Sequence, residues 1–358
     1  MKSSLLLFIK GLTELKYYIK GVQLEYQLAT LELNELAPFG YELVLLELKE
    51  HFLYNITNKK RFEYNTAIVS LYGFLEQFIE SLIRVYLSQL NSIIPEYSKM
   101  PEAILKYQLD LSLKLIAPSE QAKYHGRVTT QDLISNLHSC FNNKHDYCLN
   151  VEAFSHHNSN FRSSSIQEIF SHIGIENITD RALKCPYFLK YLSRNYPDDH
   201  VYPENPQIRK RALSFIDELA DRRNEVAHGV PTEDILSTEL ILERIDFFEA
   251  YGNAVYEIVN SDLLYHKLKL FGKKLGKPNK IIGKNIICIL ADNLDLSTGD
   301  IIIAEPSNKN FPLQISGIEE IQINGKSFEK IPVGCKKEVA IRVTFIAKKN
   351  QTLYLMPK

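Results

Sequence analysis

The side chains best suited to chemistry lie in one short segment, Asp221-Arg222-Arg223-Asn224-Glu225-Val226-Ala227-His228-Gly229. An arginine keeps its charge and presents a planar fork of donors that fits a phosphate, and a histidine can transfer protons near neutral pH. Cleavage of an RNA phosphodiester needs both groups, one to stabilise negative charge and one to move a proton. The segment therefore predicts a phosphate-handling site, and the alternative is a set of solvated charges at the end of a helix.

The spacing within this segment fits the last turns of a helix. Asn224 and His228 are four residues apart and share a helical face, whereas Arg223 is rotated by roughly 140° from His228 but is long enough to reach round. Gly229 predicts that the helix, which begins near Pro206, ends at His228. There the negative end of the helix dipole favours the imidazolium form, which can protonate a leaving oxygen.

Residues 1–264 as a whole are predicted to be helical, because apolar residues recur at three- and four-residue steps rather than in alternation. The strongest repeat lies between residues 67 and 90 and predicts a helix buried along most of its length. Its apolar positions are Val69, Tyr72, Leu75, Phe78, Ile79, Leu82, Ile83 and Tyr86. Glu76 stands among them as a carboxylate without an obvious local partner. An insert rich in His, Asn and Ser occupies about 117–205.

Several stretches of this helical region resemble the HEPN superfamily of helical, metal-independent endoribonucleases, which occur in toxins and antiviral effectors. Arg223-Asn224-x-x-x-His228 followed by Gly229 resembles the superfamily signature. Residues 71–78 resemble the early helix of one bacterial branch, in which an aromatic or aliphatic residue precedes Glu. The middle insert and closing motif of that branch resemble residues 154–160, 166–170, 173–175 and 219–229. The resemblance covers about 60–262.

The resemblance implies a mechanism without a metal or another cofactor. The 2′-hydroxyl of the RNA would attack the adjacent phosphorus while His228 moves a proton and Arg223 stabilises the phosphoryl oxygens. Asn224 would orient either group or the phosphate, and Glu76 is expected to hold His228 or Arg223 from the facing helix. Arg222 also lies within the spacing tolerance of the superfamily. Arg223 is preferred because Asn follows it, and Arg222 is expected to help bind RNA.

The same resemblance implies a homodimer in which two copies of the motif line one groove. The expected partners are the RNA substrate and, for a toxin or an antiviral defence effector, an inhibitor or trigger protein. The alternative function is that of a non-catalytic module that keeps the HEPN dimer and binds RNA or a protein.

Beyond residue 264 the composition changes. The whole chain carries 42 Lys and Arg against 43 Asp and Glu, a formal charge of −1, which excludes a uniformly basic protein. Residues 265–358 alone carry 16 basic and 8 acidic residues. Seven lysines between residues 266 and 284 predict a lysine-rich linker over 265–284. Four of these lysines are expected to bind RNA: Lys273, Lys274, Lys277 and Lys280.

Residues 285–358 are predicted to form a small β-barrel or sandwich, and the barrel is preferred. Five or six short β-rich runs are separated by turns, including the hairpin signal Asn324-Gly325. Gly299-Asp300-Ile301-Ile302-Ile303 and residues 314–325 resemble the β-barrel second domain of translation elongation factors. A positively charged barrel would hold RNA through phosphate contacts, and the alternative is a barrel for packing or protein interaction. The predicted fold class is therefore α+β multidomain, a large all-α domain followed by a small all-β barrel.

Other functions lack their usual sequence signals. Five scattered cysteines fit a reducing compartment, so a cytoplasmic location is expected. No apolar run reaches the roughly 20 residues of a membrane span, and no phosphate loop, dinucleotide-binding glycine motif, nucleophile elbow or zinc-protease helix occurs. His138, Cys140, His145 and Cys148 are of the types that bind zinc, but their spacing matches no standard finger, and no metal site is predicted.

Overall fold

The computed structural model describes residues 1–30, 42–142, 145–157, 160–195, 206–229, 234–291, 295–306, 312–331 and 337–356. The chain divides into two compact units. One comprises Met1–Ser88 with Glu96–Tyr256, and the other comprises Gln89–Pro95 with Glu257–Lys358. The first unit is helical and the second contains the strands, so the predicted α+β class is confirmed.

Ten α-helices form in the described ranges. They are α1 (Lys2–Thr30), α2 (Glu42–Ile93), α3 (Glu102–Ile116), α4 (Thr130–Asn142), α5 (Val151–Ser155), α6 (Ser163–Ser171), α7 (Ile178–Leu183), α8 (Pro186–Asn195), α9 (Pro206–Ala227) and α10 (Thr238–Phe271). The bounds of α9 agree with the helix predicted from its apolar spacing and from Gly229. At the start of α10, the hydroxyl oxygen of Ser237 accepts a hydrogen bond from the Leu240 N–H at 3.3 Å, which makes Ser237 the N-cap.

The central part of α2 forms the middle of the helical core, as its apolar repeat predicts. Leu75, Ile79 and Leu82 have no exposed surface. The repeat also predicts a buried Val69, but this side chain is 47% exposed. It is two residues before Leu71, and two helical steps turn it by roughly 200° from that buried position. The buried face of α2 is therefore narrower at its start than the repeat indicates.

By length and composition, α2 could also cross a membrane. An 18-residue window within residues 46–93 has a mean hydropathy of 1.2, and 56% of that window is buried inside the protein. Core helices pass the same test, and a single such helix is weak support for a membrane span.

Close packing of three helices in this unit depends on Gly252 of α10. A Cβ atom at this position would collide with the ring of Phe8 from α1. The Phe8 ring in turn stacks on Phe78 of α2, with ring centroids 4.6 Å apart. Lys16 of α1 also forms an ion pair with Glu249 of α10 at 2.5 Å. The absence of a side chain at Gly252 thus lets α1 and α10 approach closely.

Nine strands form in the described residues of the second unit. They are β1 (Lys273–Gly276), β2 (Lys280–Ile282), β3 (Ile286–Ala291), β4 (Ile301–Glu305), β5 (Gln314–Gly317), β6 (Glu320–Ile323), β7 (Lys326–Phe328), β8 (Lys337–Arg342) and β9 (Thr352–Met356). Their order is β1-β9-β4-β5 in one antiparallel sheet and β2-β3-β8-β6-β7 in the other. The two sheets share one apolar core. No strand pairing among the described residues joins them, so the preferred prediction, a barrel, is wrong in that the sheets are not closed. Two sheets around one core are the arrangement of a sandwich, the other predicted form.

The split into two sheets occurs within the run from residue 315 to 323, which the sequence presents as one strand. The Ile318 N–H donates to the Asp300 carbonyl at 2.8 Å, whereas the next N–H, that of Glu319, donates to the Arg342 carbonyl at 3.1 Å. The chain therefore leaves one sheet after β5 and enters the other at β6. The predicted hairpin is confirmed, because Asn324 and Gly325 join β6 to β7 with φ angles of 51° and 76°.

Residues 265–284 are folded, contrary to the predicted lysine-rich linker. The helix α10 continues to Phe271, and β1 and β2 follow it. Apolar residues between the lysines explain the difference: Leu268 is buried, and Leu275 and Ile281 pack against the core of the sheets. The boundary between the two units lies at Tyr256, within α10 rather than in a connecting segment.

Candidate active site

The candidate site forms where the segment before α6 lies along α9. Two carboxylates of α9 hold this segment: Asp217 accepts from the Ser163 N–H at 2.7 Å, and Asp221 accepts from the Arg162 guanidinium at 3.2 Å. One turn further along α9, Asn224 accepts from the side-chain amide of Asn160. The three α9 positions are four and three residues apart and so occupy one helical face. This face places Asn160 next to Asn224.

Tyr72 of α2 closes the cluster from the other side. Its hydroxyl accepts from the Phe161 N–H at 3.0 Å and donates to Oδ1 of Asn160 at 3.3 Å. Burial raises the pKa of Tyr72 above its ordinary value, so the hydroxyl keeps its proton at neutral pH. Tyr72 and Asn160 together connect α2 to α9.

Arg223 lies at the edge of this cluster. Its guanidinium carbon is 5.2 Å from the centroid of the Tyr72 ring, a cation–π distance. Its Nη1 is 3.4 Å from Oδ1 of Asn224. The side chain is half-buried, and no carboxylate pairs with it among the described residues. Most of the guanidinium donors therefore remain available to an anion.

Arg222, the neighbouring candidate, is engaged within the fold. Its guanidinium donates to Glu218 at 2.8 Å, to the hydroxyl of Tyr64 at 2.9 Å and to the Asp234 side chain at 2.9 Å. Burial alone would lower the pKa of Arg222, but these three contacts outweigh it and the pKa is raised. Arg222 therefore connects α9 to α2 and to the segment before α10, and its donors are already used.

His228 follows the last residue of α9 and is exposed. Its backbone N–H continues the helix by donating to the Asn224 carbonyl at 2.9 Å. Gly229 follows with a φ angle of 65°, which the lack of a Cβ permits. Among the described residues the imidazole has no hydrogen-bond partner, so it is free to contact a ligand or a second copy of the chain.

Glu76 occupies a different place from the one the sequence suggests. The expectation is that it holds His228 or Arg223, but its carboxylate lies 3.2 Å from Nε2 of His157. The same nitrogen lies 3.3 Å from a carboxylate oxygen of Glu80, one turn further along α2. Glu76 and Glu80 therefore hold a histidine of the insert.

Glu80 is the centre of a buried ion-pair cluster. Burial opposes its ionisation, but contacts with His157, Lys123 and Arg84 outweigh burial and lower the pKa of Glu80 to about 2. Lys123 lies 2.7 Å and Arg84 3.2 Å from its oxygens. The ligand atoms of Glu76, Glu80 and His157 are within 4.8 Å of one another, close enough to hold a metal ion. Lys123 and Arg84 already neutralise the Glu80 carboxylate, so the geometry favours a structural ion-pair cluster.

The four predicted RNA-binding lysines lie in the second unit and are exposed. Lys273 and Lys274 are in β1, Lys280 begins β2, and Lys277 lies between these strands. β1 and β2 are each at the edge of a sheet. Lysines on edge strands also prevent pairing with other chains, so their position supports both a binding role and a protective one.

Sequence reasoning missed Tyr72 and Asn160 as parts of the candidate site, and His157 as the partner of Glu76. The apolar repeat of α2 predicts Tyr72 to be a core residue, and its exposed fraction of only 2% agrees with this prediction. Asn160 and His157 lie in a polar insert without helical spacing. Their only signal is the resemblance of residues 154–160 to an insert of one HEPN branch, which does not identify their partners.

A family model described as RiboL-PSP-HEPN matches residues 42–261. The match includes Glu76, Asn160, Arg223 and His228, and it begins with α2 and ends within α10. No curated protein matches the chain. Because the family model covers more than half of the 358 residues, the chain belongs to the RiboL-PSP-HEPN family of the HEPN superfamily.

Proposed function

We propose that this protein is a metal-independent endoribonuclease. Membership in a HEPN family supports a ribonuclease or RNA-binding function in general. In the proposed reaction the 2′-hydroxyl of a nucleotide attacks the adjacent phosphorus, and the bond to the 5′-oxygen of the next nucleotide breaks. The products carry a 2′,3′-cyclic phosphate and a 5′-hydroxyl. Arg223 stabilises the negative charge on the phosphoryl oxygens, and His228 protonates the leaving 5′-oxygen. The proton of the attacking 2′-hydroxyl passes to water.

The observation that carries this proposal is that Arg223 forms no ion pair with a carboxylate among the described residues. The surrounding part of α9 contains the carboxylates Glu218, Asp221 and Glu225, yet none of them pairs with Arg223 in the described residues. An arginine that keeps its donors available in an acidic region can bind a phosphate at little cost in broken ion pairs. The Tyr72 ring beneath it limits the positions that the guanidinium can adopt.

A homodimer would complete this site. Arg223 and His228 are five residues apart, so their side chains leave the helix axis at angles that differ by roughly 140°. One chain therefore presents the two groups in different directions, and a second copy can supply the group that is missing from each side. Asn224 lies on the same face as His228 and contacts Arg223, which makes it the link between them.

The direct test compares wild-type protein with the His228→Ala variant on a mixed pool of RNA in the presence of a chelator. We expect wild type to produce 2′,3′-cyclic phosphate and 5′-hydroxyl ends, and His228→Ala to lose at least about a hundredfold in rate, the lower range for one acid–base group. His51→Ala is the matched control, because His51 is an exposed helical histidine outside the cluster. Equal cleavage by His228→Ala and wild type would contradict the proposal.

The dimer is tested by mixing two inactive variants. Arg223→Ala and His228→Ala each remove one half of the reaction, so a composite site predicts that co-refolded or co-expressed mixtures regain part of the activity. Two independent sites within single chains predict no recovery. RNA binding by both variants with no cleavage by wild type would instead favour the alternative, a non-catalytic RNA-binding module.

We further propose that the enzyme acts in the cytoplasm as a toxin or an antiviral effector, held inactive by an inhibitor or awaiting a trigger protein. A ribonuclease without restraint would damage its own cell, so its activity has to be controlled. Induced expression of wild type should arrest growth and create new RNA ends, whereas His228→Ala should do neither. Sequencing those ends identifies the RNA that is cut.

A further inference from the structure

Asn160 occupies the centre of the candidate site, half-buried between α2 and α9. Its Oδ1 accepts from the Tyr72 hydroxyl at 3.3 Å, and its Nδ2 donates to Oδ1 of Asn224. The adjacent backbone N–H, that of Phe161, donates to the same Tyr72 hydroxyl. Both ends of the Asn160 amide are therefore used, and its orientation is set by α2 on one side and α9 on the other.

These contacts determine which way the Asn224 amide faces. Oδ1 of Asn224 accepts from Asn160 and, at 3.4 Å, from Nη1 of Arg223. Nδ2 of Asn224 has no acceptor among the described residues. An Asn side chain has one acceptor end and one donor end, so filling the acceptor leaves two N–H donors for a ligand.

We infer that Asn160 is a positioning residue that makes Asn224 present its N–H donors, rather than its carbonyl oxygen, to the phosphate bound by Arg223. This inference rests on the proposed RNA site. In the reverse orientation, the Asn224 carbonyl would face a negatively charged phosphate. Two amide NH₂ groups, those of Asn160 and Asn224, would also face each other without an acceptor. Both effects oppose that orientation.

Asn160 itself keeps its direction because the Tyr72 hydroxyl donates to its Oδ1. The raised pKa of Tyr72 keeps the hydroxyl protonated, and the Phe161 N–H already occupies an acceptor position of that hydroxyl. The proton of the hydroxyl therefore points to Oδ1 of Asn160. In this series of hydrogen bonds, the Phe161 N–H donates to Tyr72, Tyr72 donates to Asn160, and Asn160 donates to Asn224. The N–H groups of the Asn224 side chain have no acceptor among the described residues.

The test is a double-mutant cycle measured on RNA binding. The probe is a short mixed-sequence RNA whose 2′-hydroxyls are all methylated, so that it cannot be cleaved by 2′-hydroxyl attack. Fluorescence anisotropy gives the affinity of wild type, Asn160→Ala, Asn224→Ala and the double variant. We expect Asn224→Ala to weaken binding about tenfold, as for one hydrogen bond to a charged group, and Asn160→Ala to weaken it several-fold. In the Asn224→Ala background, Asn160→Ala should have no further effect.

Two results overturn the inference. If the two single effects multiply in the double variant, Asn160 acts independently of Asn224. If Asn224→Ala binds the probe as wild type does, the amide donors do not contact the phosphate. Thermal unfolding identifies any variant that is not folded. If Asn160→Ala does not fold, Asn160→Ser replaces it, because serine keeps a polar group but is too short to reach Asn224.

The same variants separate this inference from the proposed function. Cleavage of unmodified RNA tests the reaction, whereas the methylated probe tests only the arrangement of donors. If wild type does not cleave RNA but the double-mutant cycle gives the expected affinities, the ribonuclease proposal is contradicted and the positioning role of Asn160 stands. If cleavage depends on His228 but the effects of Asn160→Ala and Asn224→Ala on affinity multiply, only the positioning role is contradicted. On unmodified RNA, Asn160→Ala should also raise KM in the same proportion in which it weakens binding.

Discussion

Arg222 and Arg223 are adjacent in α9, and only Arg222 is paired with carboxylates among the residues that the structure describes. Its guanidinium lies 2.8 Å from Glu218 and 2.9 Å from Asp234. Arg223 instead lies over the Tyr72 ring, 5.2 Å from its centroid. One helical step of about 100° accounts for the difference, because it turns Arg222 toward Asp234 and Arg223 toward the Tyr72 ring. The two arginines therefore have different roles.

Replacing each arginine should separate these roles. Arg222→Ala removes the donor of the Tyr64 hydroxyl and one of the two arginines that bind Glu218, the other being Arg244. We therefore expect the free energy of unfolding to fall by about 1–3 kcal/mol. Arg223→Ala should change it by less than about 0.5 kcal/mol but weaken RNA binding at least about tenfold. Urea denaturation and fluorescence anisotropy measure the two effects. Arg223→Lys, which keeps the charge and loses the planar fork, should bind RNA with intermediate affinity.

The opposite pattern would reassign the phosphate site. If Arg222→Ala remains folded and loses RNA binding while Arg223→Ala binds normally, Arg222 is the phosphate ligand. The superfamily spacing permits either residue, so this comparison decides between them.

Glu80 should make the stability of the helical unit depend on pH. Its pKa is lowered to about 2 from an ordinary value of 4.5. The ionised carboxylate therefore stabilises the folded state above about pH 4.5, and this contribution is lost as the pH falls toward 2. Glu80→Gln removes it, so the variant should be less stable than wild type by on the order of 3 kcal/mol at about pH 7. The difference should shrink progressively below about pH 4.5.

The matched control is Glu176→Gln, since Glu176 is exposed. This change should alter the free energy of unfolding by less than about 0.5 kcal/mol at either pH. Urea titrations at about pH 7 and about pH 3 give the values that are needed. A Glu80→Gln deficit that does not change with pH would show that the carboxylate acts through packing rather than through its charge.

The lysines of β1 and β2 should govern the salt dependence of RNA binding. Changing Lys274, Lys277 and Lys280 together to Ala should weaken affinity at low salt. It should also reduce the slope of log affinity against log salt by about 2, since each phosphate contact to a single strand contributes about 0.7. Substitution is preferable to removal of residues 265–358, because that cut would fall inside α10.

A second set of exposed lysines in the same unit provides the control: Lys326, Lys348 and Lys349. Their replacement changes the net charge by the same amount. If both triple variants lower the slope equally, the second unit attracts RNA through its total charge, and β1 and β2 form no particular site. If neither triple variant lowers the slope, the lysines of β1 and β2 serve only to prevent aggregation.

Gly252 should tolerate no side chain. In Gly252→Ala the new Cβ meets the Phe8 ring, so either α1 or that ring has to shift, and the free energy of unfolding should fall by about 1–3 kcal/mol. A Cβ added at Gly21 of α1 would have no neighbouring atom within 4 Å, so Gly21→Ala should stabilise the helix by up to about 1 kcal/mol. Thermal unfolding of both variants measures the contrast. Equal effects would contradict the close contact between α1 and α10.

The helical character of the first unit, most strands and the position of the motif follow from local patterns in the sequence. Periodicity, the glycine after His228 and the Asn324-Gly325 turn are properties of neighbouring residues, so they can be recognised without the fold. The same local approach fails where burial decides the outcome. Lysines between 265 and 284 indicate a linker, but the apolar residues among them pack into a helix and two strands.

The tertiary structure alone decided which residues surround Arg223. Tyr72 is 88 positions from Asn160, and Asn160 is 64 positions from Asn224, so no spacing rule connects them. Their hydrogen bonds form because Asp217 and Asp221 bind the segment before α6 to α9, while Tyr72 of α2 contacts that segment from its other side. The local sequence is enough to identify the chemistry that is present, namely an arginine, an asparagine and a histidine at a helix end. Packing of distant helices decided their orientation and which arginine keeps its donors free, because contacts between separate elements form only when their buried faces meet.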